Sequence, residues 1–296
     1  MFKSIEDLVS SAEASGQPLS TVIIHAEAEH GRSTPTDLRQ RMQRRLEIMR
    51  SSAQQGLESP IISLSGLSGG NAHRFWNWLG DHEPITGSIL SRTIARAMAV
   101  NELNAGMGCI VATPTAGSAG ILPGVLITLQ EEYDFSDNQL INVLFTAGGI
   151  GAVIVHRAHV SGAEGGCQAE TGSAAAMTAG AVVELLGGSP SQSSQAVAIT
   201  LKNMLGLVCD PVAGLVEIPC VKRNAAGVAQ CFVAVDLAMA GVESVIPPDE
   251  VIDAMASIGR KMDVRFKETA QGGLAATPTG KRLANLIWNE KQLDTN

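Results

Sequence analysis

The sequence has few aromatic side chains, no long uninterrupted apolar run and no concentration of positive charge. Phe, Trp and Tyr make up 3% of its 296 residues, so bulky aromatic packing does not hold the core together. No run approaches the roughly 18 apolar residues of a membrane span; the best candidate, 232–240, contains Asp236. The net charge of −8 and the lack of a basic stripe argue against a nucleic-acid surface. We therefore expect neither nucleic acid nor membrane as a partner.

A secretory signal is also missing from the beginning of the sequence. The first residues, MFKSIEDLVSSAE, carry acids where a signal peptide needs an apolar segment. We therefore expect a cytoplasmic protein. The chain has 5 cysteines, an odd number, and the cytoplasm keeps thiols reduced. This leaves free buried thiols or a metal site rather than disulfides.

What the sequence has in abundance are small residues, with 31 glycines and many alanines. From about 85 to 240 the segments are apolar on most sides, which is typical of buried helices, and strand alternation does not persist. One of them is predicted to run from Ser189-Pro190 to about Leu207, while the run 60–62 stays ambiguous. Amphipathic helices are predicted at both ends, from Ser4, from Thr36 with Leu38, Met42, Leu46 and Met49, and from Pro248 with Val251, Met255, Ile258 and Met262.

The predicted fold is mostly α, a single helical domain over 1–296. Central Ala/Gly-rich helices would be buried and surrounded by amphipathic helices, with the N-terminal helices, about 1–56, packed on the core. No linker biased in charge, Pro or Ser divides the chain.

Three of the cysteines, Cys167, Cys209 and Cys220, are separated by 42 and 11 positions. This spacing is wider than that of a ferredoxin or a zinc knuckle. On spacing alone, three structural thiols are the simpler interpretation, because cysteine is among the most buried residue types.

The surroundings of these three cysteines favour a metal site. Two glycines precede Cys167, a helix-ending Asp-Pro pair follows Cys209, and a proline precedes Cys220. All three thiols are therefore predicted at the ends of elements. In contrast, Cys109 and Cys231 lie in more uniform apolar runs and are interpreted as structural.

A three-cysteine site has a chemical consequence. Three thiolates on a four-iron cluster leave one iron open, and an open iron can act as a Lewis acid toward a hydroxyl or carboxylate. A cluster closed by four cysteines suits electron transfer instead. The pattern therefore favours the lyase chemistry of a hydratase or dehydratase over electron transfer.

Two loops rich in glycine and hydroxyl groups are candidates for substrate binding. The first contains Ser65, Gly66, Gly69, Gly70 and Asn71. Its N–H groups would form a nest for a carboxylate, with an ordinary flexible turn as the alternative. The second contains Thr113, Thr115, Gly117 and Ser118. Its hydroxyls need partners, either a substrate or, more commonly, backbone carbonyls.

Further polar residues are candidates for the same site. Lys222, Arg223 and Asn224 follow Cys220 closely, so the two cations there would hold a substrate carboxylate, although a solvated helix end is the alternative. The sequence does not identify the catalytic base. Candidate proton handlers are His73, His82, His156 and His159, although a lone histidine is more often structural.

At these residues the chain resembles the alpha chain of the iron–sulfur-dependent L-serine dehydratase (L-serine deaminase) family. The likeness covers nearly the whole chain. The stretches that carry it are Ser65–Asn71, Met107–Gly124, Ser161–Gly172, Ile199–Asn224 and Glu268–Gly280. Family members commonly have Asp and Lys where this chain has Asn71 and Arg74, and Thr where it has Cys109.

The resemblance implies an L-serine ammonia-lyase that forms pyruvate and ammonia, in L-serine degradation and gluconeogenesis. Cys167, Cys209 and Cys220 would hold a [4Fe-4S] cluster whose open iron binds L-serine, and no pyridoxal phosphate would be needed. One-chain members carry an extra domain with a Ser-Ser-His-Thr-type motif that this sequence lacks. We therefore expect a separate beta chain and an oligomer.

Two alternatives remain open. One is a related cluster-dependent cysteine desulfidase, in which L-cysteine replaces L-serine. The other belongs to a different class, a non-catalytic helical partner subunit without a cluster.

Overall fold

Helices account for nearly all the regular structure of the computed structural model, which describes residues 2–293. In this part of the chain there is no β-strand, only two isolated bridges, Ile62 with Gly69 and Cys209 with Lys267. The prediction of one mostly α domain is confirmed. The helices are α1 (Ile5–Ser15), α2 (Leu19–Gly31), α3 (Pro35–Glu58), α4 (Asn71–Asp81), α5 (Ser88–Ala105), α6 (Ile121–Tyr133), α7 (Asp137–Arg157), α8 (Gly162–Gly165), α9 (Ser173–Leu185), α10 (Pro190–Asn203), α11 (Cys220–Met239), α12 (Pro248–Lys261) and α13 (Pro278–Leu293).

The centre of the fold is α9, in which every residue except Glu184 is buried. Helices α7, α10 and α11 pack around it, and α5 packs on α11 and α6. Small residues allow these close contacts: an added Cβ at Gly120 would lie 2.0 Å from the carbonyl oxygen of Ala97, where α6 meets α5. The Ala/Gly-rich middle of the sequence is therefore the core, as predicted.

The N-terminal helices lie outside this core. Helix α1 packs on α10, α2 on α7, and α3 on α5. Leu46 and Met49 of α3 are buried, so the predicted apolar face is turned inward. The N-cap of α3 is Thr34, two residues before the predicted signal at Thr36, because Thr34 and Asp37 form a capping box.

The other helix starts follow the predicted local signals. The Ser4 hydroxyl accepts a hydrogen bond from the Asp7 N–H at 2.9 Å, and Ser189 caps α10. Pro248 occupies the first position of α12. The predicted end of α10 near Leu207 is wrong. The helix ends at Asn203, since Gly206 turns with φ +84° and donates its N–H to the Gln168 side chain.

Helix α7 is the longest apolar helix among the described residues. It, rather than the segment 232–240, is the best candidate for a membrane span by hydropathy. By length and composition alone it passes the test for a membrane span. However, 61% of the residues in its most apolar 18-residue stretch are buried inside the protein, where the helix packs on α9, α2 and α3. These contacts are those of a core helix.

Candidate functional site

The three predicted ligand cysteines come from three different elements. Cys167 directly precedes a π-helical turn over 168–172, an arrangement that is frequent at functional sites. Cys209 lies in extended chain, where its N–H donates to Phe266 O and its carbonyl accepts from the Glu268 N–H, both at 2.8 Å. Cys220 is the first residue of α11. All three lie at ends or outside of helices, as the sequence predicts.

The three thiols are buried and lie in one region. They are 3%, 3% and 8% exposed, in chain order. Burial raises the pKa of each, that of Cys220 to about 12. A negative charge on Cys167 would raise the pKa of both Cys209 and Cys220 further, so the sulfurs are electrostatically coupled. Metal ligation is the usual way in which such thiols lose their protons.

A half-buried carboxyl group, Glu170, lies among these thiols. It accepts hydrogen bonds from Thr115 Oγ1 at 2.8 Å and from Cys209 Sγ at 3.7 Å. Burial raises the pKa of Glu170; the Thr115 hydrogen bond opposes this shift, and the charge of Glu268 adds to it. Glycine keeps the space open, since an added Cβ at Gly162 would lie 2.6 Å from Glu170 Oε2 and 2.7 Å from Cys209 Sγ.

A guanidinium group completes this side of the site. Arg223, on α11, donates to Val208 O and to Asp210 Oδ1, both at 2.8 Å. Its charge lowers the pKa of Cys167, against the larger effect of burial. Asp210 also accepts the Leu274 N–H at 2.8 Å, which ties the C-terminal segment to the cysteine region. Gly273 is required there, with φ +57° and an added Cβ that would lie 2.3 Å from Asp210 Oδ2.

The first predicted loop and Lys222 line one cavity of about 460 Å³. Its wall includes Gly66, Gly69 and Asn71, and it continues through Ile218 and Pro219 to the beginning of α11. The structure therefore brings together two predicted sites that lie about 150 residues apart in the sequence. Whether these residues bind substrate stays a prediction.

Glu217 holds the first loop in place. Ser65 Oγ donates to Glu217 Oε1 at 2.7 Å, and Ser68 Oγ donates to Glu217 Oε2 at 2.8 Å. At the end of the loop, Asn71 donates to the buried Glu102 carboxylate through its N–H and its side-chain amide. The loop is thus built on two buried acids rather than being a free turn.

The second predicted loop packs between Glu170 and α11. Thr115 contacts Glu170, and the fully buried Ser118 Oγ donates to Thr113 O at 3.3 Å. The Asn224 side chain accepts the Gly120 N–H at 3.0 Å and donates to Gly117 O at 2.8 Å and to Cys220 O at 2.9 Å. Asn224 therefore joins this loop to the segment that carries Cys220.

The four candidate histidines lie away from this hydrogen-bond network. His73 contacts Leu57 O at 2.6 Å, and His82 stacks on Trp78 with ring centroids 4.6 Å apart. His156 is exposed, and His159 pairs with Glu164 at 2.7 Å. Among the hydrogen bonds of the described residues, none joins a histidine of this set to the three thiols or to Glu170.

One of the two cysteines interpreted as structural, Cys109, is not buried in the structure. Cys231 is fully buried in α11, as expected. Cys109 is exposed, so the prediction of a core position for it is wrong. Helix α5 ends at Ala105 and Met107 turns with φ +66°, so Cys109 lies in irregular chain after the helix rather than inside a buried element.

The donor set does not form a site for a single metal ion. Among the described side chains, those of residues 2–289, no three from His, Cys, Asp or Glu converge as they would around one ion. A multi-iron cluster has a different requirement, because each thiolate binds its own iron and the sulfurs stand farther apart than around a shared ion.

Sequence reasoning named Arg223 as a possible cation for a substrate carboxylate, but it missed the acids of the site. Glu170 is three residues after Cys167, and Glu217 is three residues before Cys220, so proximity to a ligand was an available signal. Glu102 and Glu268 carried no such signal. Their roles depend on contacts between distant segments.

The fold and the site define a helical protein with a buried three-thiol centre. A family model described as serine dehydratase alpha chain matches residues 14–275. The chain therefore belongs to the serine dehydratase alpha-chain family, and the resemblance noted from its motifs is confirmed.

Relatives of the same length support this assignment. The chain is 49% identical to a probable L-serine dehydratase alpha chain of Bacillus subtilis over 97% of this chain and 96% of the relative. It is 40% identical to the L-serine dehydratase alpha chain of Peptoniphilus asaccharolyticus, over 96% and 97%. A longer relative, the L-serine dehydratase of Streptomyces coelicolor, is 37% identical over 93% of this chain and 60% of its own length.

Proposed function

We propose that this chain is the catalytic alpha chain of an L-serine ammonia-lyase. The family and the names of its relatives, which are L-serine dehydratase alpha chains, support serine dehydration. In this reaction the α proton and the β hydroxyl leave L-serine as water. The aminoacrylate that remains becomes an imine, and water hydrolyses the imine to pyruvate and ammonia.

The proposal includes a [4Fe-4S] cluster held by Cys167, Cys209 and Cys220. Three buried, coupled thiols fit three of its irons, and the Gly162 space keeps side chains out of the region between Cys209 and Glu170. When bound, the cluster would supply an open iron, a Lewis acid for a hydroxyl or carboxylate. A cofactor such as pyridoxal phosphate is not part of this proposal.

Glu170 is the side chain that we assign to proton transfer. Its Oε1 is held by Thr115, so the carboxyl group has a fixed orientation, and its Oε2 lies on the side of Cys209. We propose that Oε2 takes the α proton of the substrate. Arg223 keeps a positive charge near Cys167 and Cys220, and Asp210 holds the guanidinium in place.

One observation carries the proposal. Three thiols from three separate segments are buried together beside a hydrogen-bonded carboxyl group. Structural cysteines would not need a neighbouring acid and an arginine, whose burial is costly unless they are paired.

A separate beta chain and an oligomeric enzyme are also part of the proposal. Two relatives of matching length are named as alpha chains, which indicates an enzyme of more than one subunit. The Streptomyces relative is longer, and this chain spans 60% of it. We further propose a cytoplasmic location, where an oxygen-sensitive cluster and free thiols persist.

The test is an anaerobic activity measurement on the purified chain, with and without a beta chain. We expect pyruvate and ammonia in equal amounts from L-serine. L-Cysteine is assayed in parallel for sulfide, which separates serine dehydration from the desulfidase alternative. An iron-free protein that is inactive on both amino acids in the presence of the beta chain would contradict the proposal.

A further inference from the structure

The cavity beside the beginning of α11 contains a carboxylate that the proposed mechanism does not use. Glu217 lines this cavity of about 460 Å³ and is only 6% exposed. The cavity wall also contains Lys222, whose side chain is exposed, and the glycine-rich loop that begins at Ser65. Its volume is ample for a small amino acid.

Glu217 forms no ion pair with any cation among residues 2–289, the part of the chain whose side chains the structure describes. Its two oxygens accept hydrogen bonds from Ser65 and Ser68, and no Lys, Arg or His forms an ion pair with it. A buried carboxylate is normally paired with a cation or a metal. A carboxylate oxygen can accept more than one hydrogen bond, so each oxygen of Glu217 can accept a further bond besides the one from its serine.

The other buried acids of this region are compensated differently. Glu102 accepts the first N–H groups of α4, from Asn71 and Ala72, where the helix dipole favours a negative charge. Asp210 is paired with Arg223 at 2.8 Å. Of these three acids, Glu217 is the one that lines the cavity, and its side chain is bound by two neutral serine hydroxyls rather than by an ion pair.

We propose that Glu217 binds the α-ammonium group of the amino-acid substrate in this cavity. The inference rests on the proposed function and deepens it. An ammonium group has three donors and a positive charge, which the two carboxylate oxygens match. Lys222, on the wall of the same cavity, is then available for the substrate carboxylate, as predicted from its position after Cys220.

The arrangement places a zwitterion between two opposite charges. Ser65 and Ser68 keep the Glu217 carboxylate in a fixed orientation, so this side chain loses little conformational freedom when a ligand binds. A hydroxy acid without an amino group would leave the Glu217 charge uncompensated. The pocket would therefore discriminate amino acids from hydroxy acids.

The test compares Glu217→Gln with the unchanged enzyme, assembled anaerobically and matched for iron content. Glutamine preserves the shape and can still bond both serines, but it lacks the charge. We expect the KM for L-serine to rise roughly 10- to 100-fold, the range of a lost charged hydrogen bond. We expect the inhibition constant of 3-hydroxypropionate, which has the hydroxyl and carboxylate but no ammonium, to stay the same.

Matched variants separate this role from a structural one. Lys222→Met should weaken L-serine and 3-hydroxypropionate alike, since both have a carboxylate. Glu217→Asp keeps the charge and should preserve the ratio of the L-serine KM to the 3-hydroxypropionate inhibition constant, even if both rise. Equal weakening of both ligands by Glu217→Gln, or no weakening of either, would overturn the inference. An unchanged enzyme that does not act on L-serine would instead overturn the proposed function.

Discussion

Individual residues of the site have separable tasks, and Glu170 is the clearest case. Its carboxyl group contacts Thr115 and Cys209, but it is not one of the three ligands that we propose for the cluster. Glu170→Gln should therefore keep iron bound while turnover of L-serine falls by at least about 100-fold, a typical contribution of acid–base catalysis. Glu164→Gln, in the preceding helix, removes only an exposed pair with His159 and serves as the control. Loss of iron with Glu170→Gln would contradict this assignment.

Gly162 provides a second test at the residue scale. A methyl group there would meet both Cys209 Sγ and Glu170 Oε2 at less than 3 Å. We expect Gly162→Ala to reduce the bound iron while the far-ultraviolet circular dichroism stays unchanged, because the clash lies in the site rather than in the core. Iron binding equal to that of the unchanged protein would show that the space between these two side chains is not needed.

At the scale of elements, close helix contacts depend on glycine. Gly120 lies where α6 crosses α5, and an added Cβ would approach Ala97 O to 2.0 Å. Gly120→Ala should lower the free energy of unfolding by about 3 kcal/mol or more, since backbone atoms cannot move aside. Gly148→Ala in α7 is the matched control, because its Cβ meets nothing within 4 Å. Chemical denaturation should show this variant unchanged or stabilised by up to about 1 kcal/mol.

The contact between α3 and α7 includes an ion pair whose contribution depends on pH. Arg50 donates to Asp137 at 2.9 Å and holds the pKa of Asp137 at about 2, below its ordinary value of 3.8. A lowered folded-state pKa stabilises the fold above about pH 4, and this stabilisation is lost as the pH falls toward 2.

Asp137→Asn should therefore destabilise the protein at pH 7 by less than about 1 kcal/mol, because both side chains are partly exposed. The difference between the two proteins should disappear near pH 2. Thermal unfolding followed over this pH range measures the effect. A difference that stays constant from pH 7 to pH 2 would contradict the role of the charge.

For the whole molecule, the sequence predicts what local chemistry decides. Helix starts at Ser4, Ser189 and Pro248 follow from capping side chains and proline geometry, which act within one turn. The end of α10 was misplaced because it depends on Gly206 contacting Gln168, about 40 residues earlier in the chain. Cys109 was misplaced because an apolar run alone does not tell whether a segment lies inside or outside.

The residues of the site also divide into those that local sequence indicates and those that depend on contacts between distant segments. Its cysteines were visible from their neighbours in the sequence and from the family motifs, whereas the contacts that give Glu217 its role were not. Glu217 acquires its role from Ser65 and Ser68, about 150 positions earlier, and from a cavity that exists only in the folded chain. Such acids can be found only once the distant segments are in place.

The central claim is that three cysteines hold an iron–sulfur cluster that serine dehydration needs. The most direct measurement is iron content, visible absorption and pyruvate formation for anaerobically prepared Cys209→Ser, with Cys109→Ser as the exposed control. We predict that Cys209→Ser loses the colour, the iron and the activity, while Cys109→Ser keeps all three. A Cys209→Ser protein that still forms pyruvate from L-serine at the original rate would contradict the account.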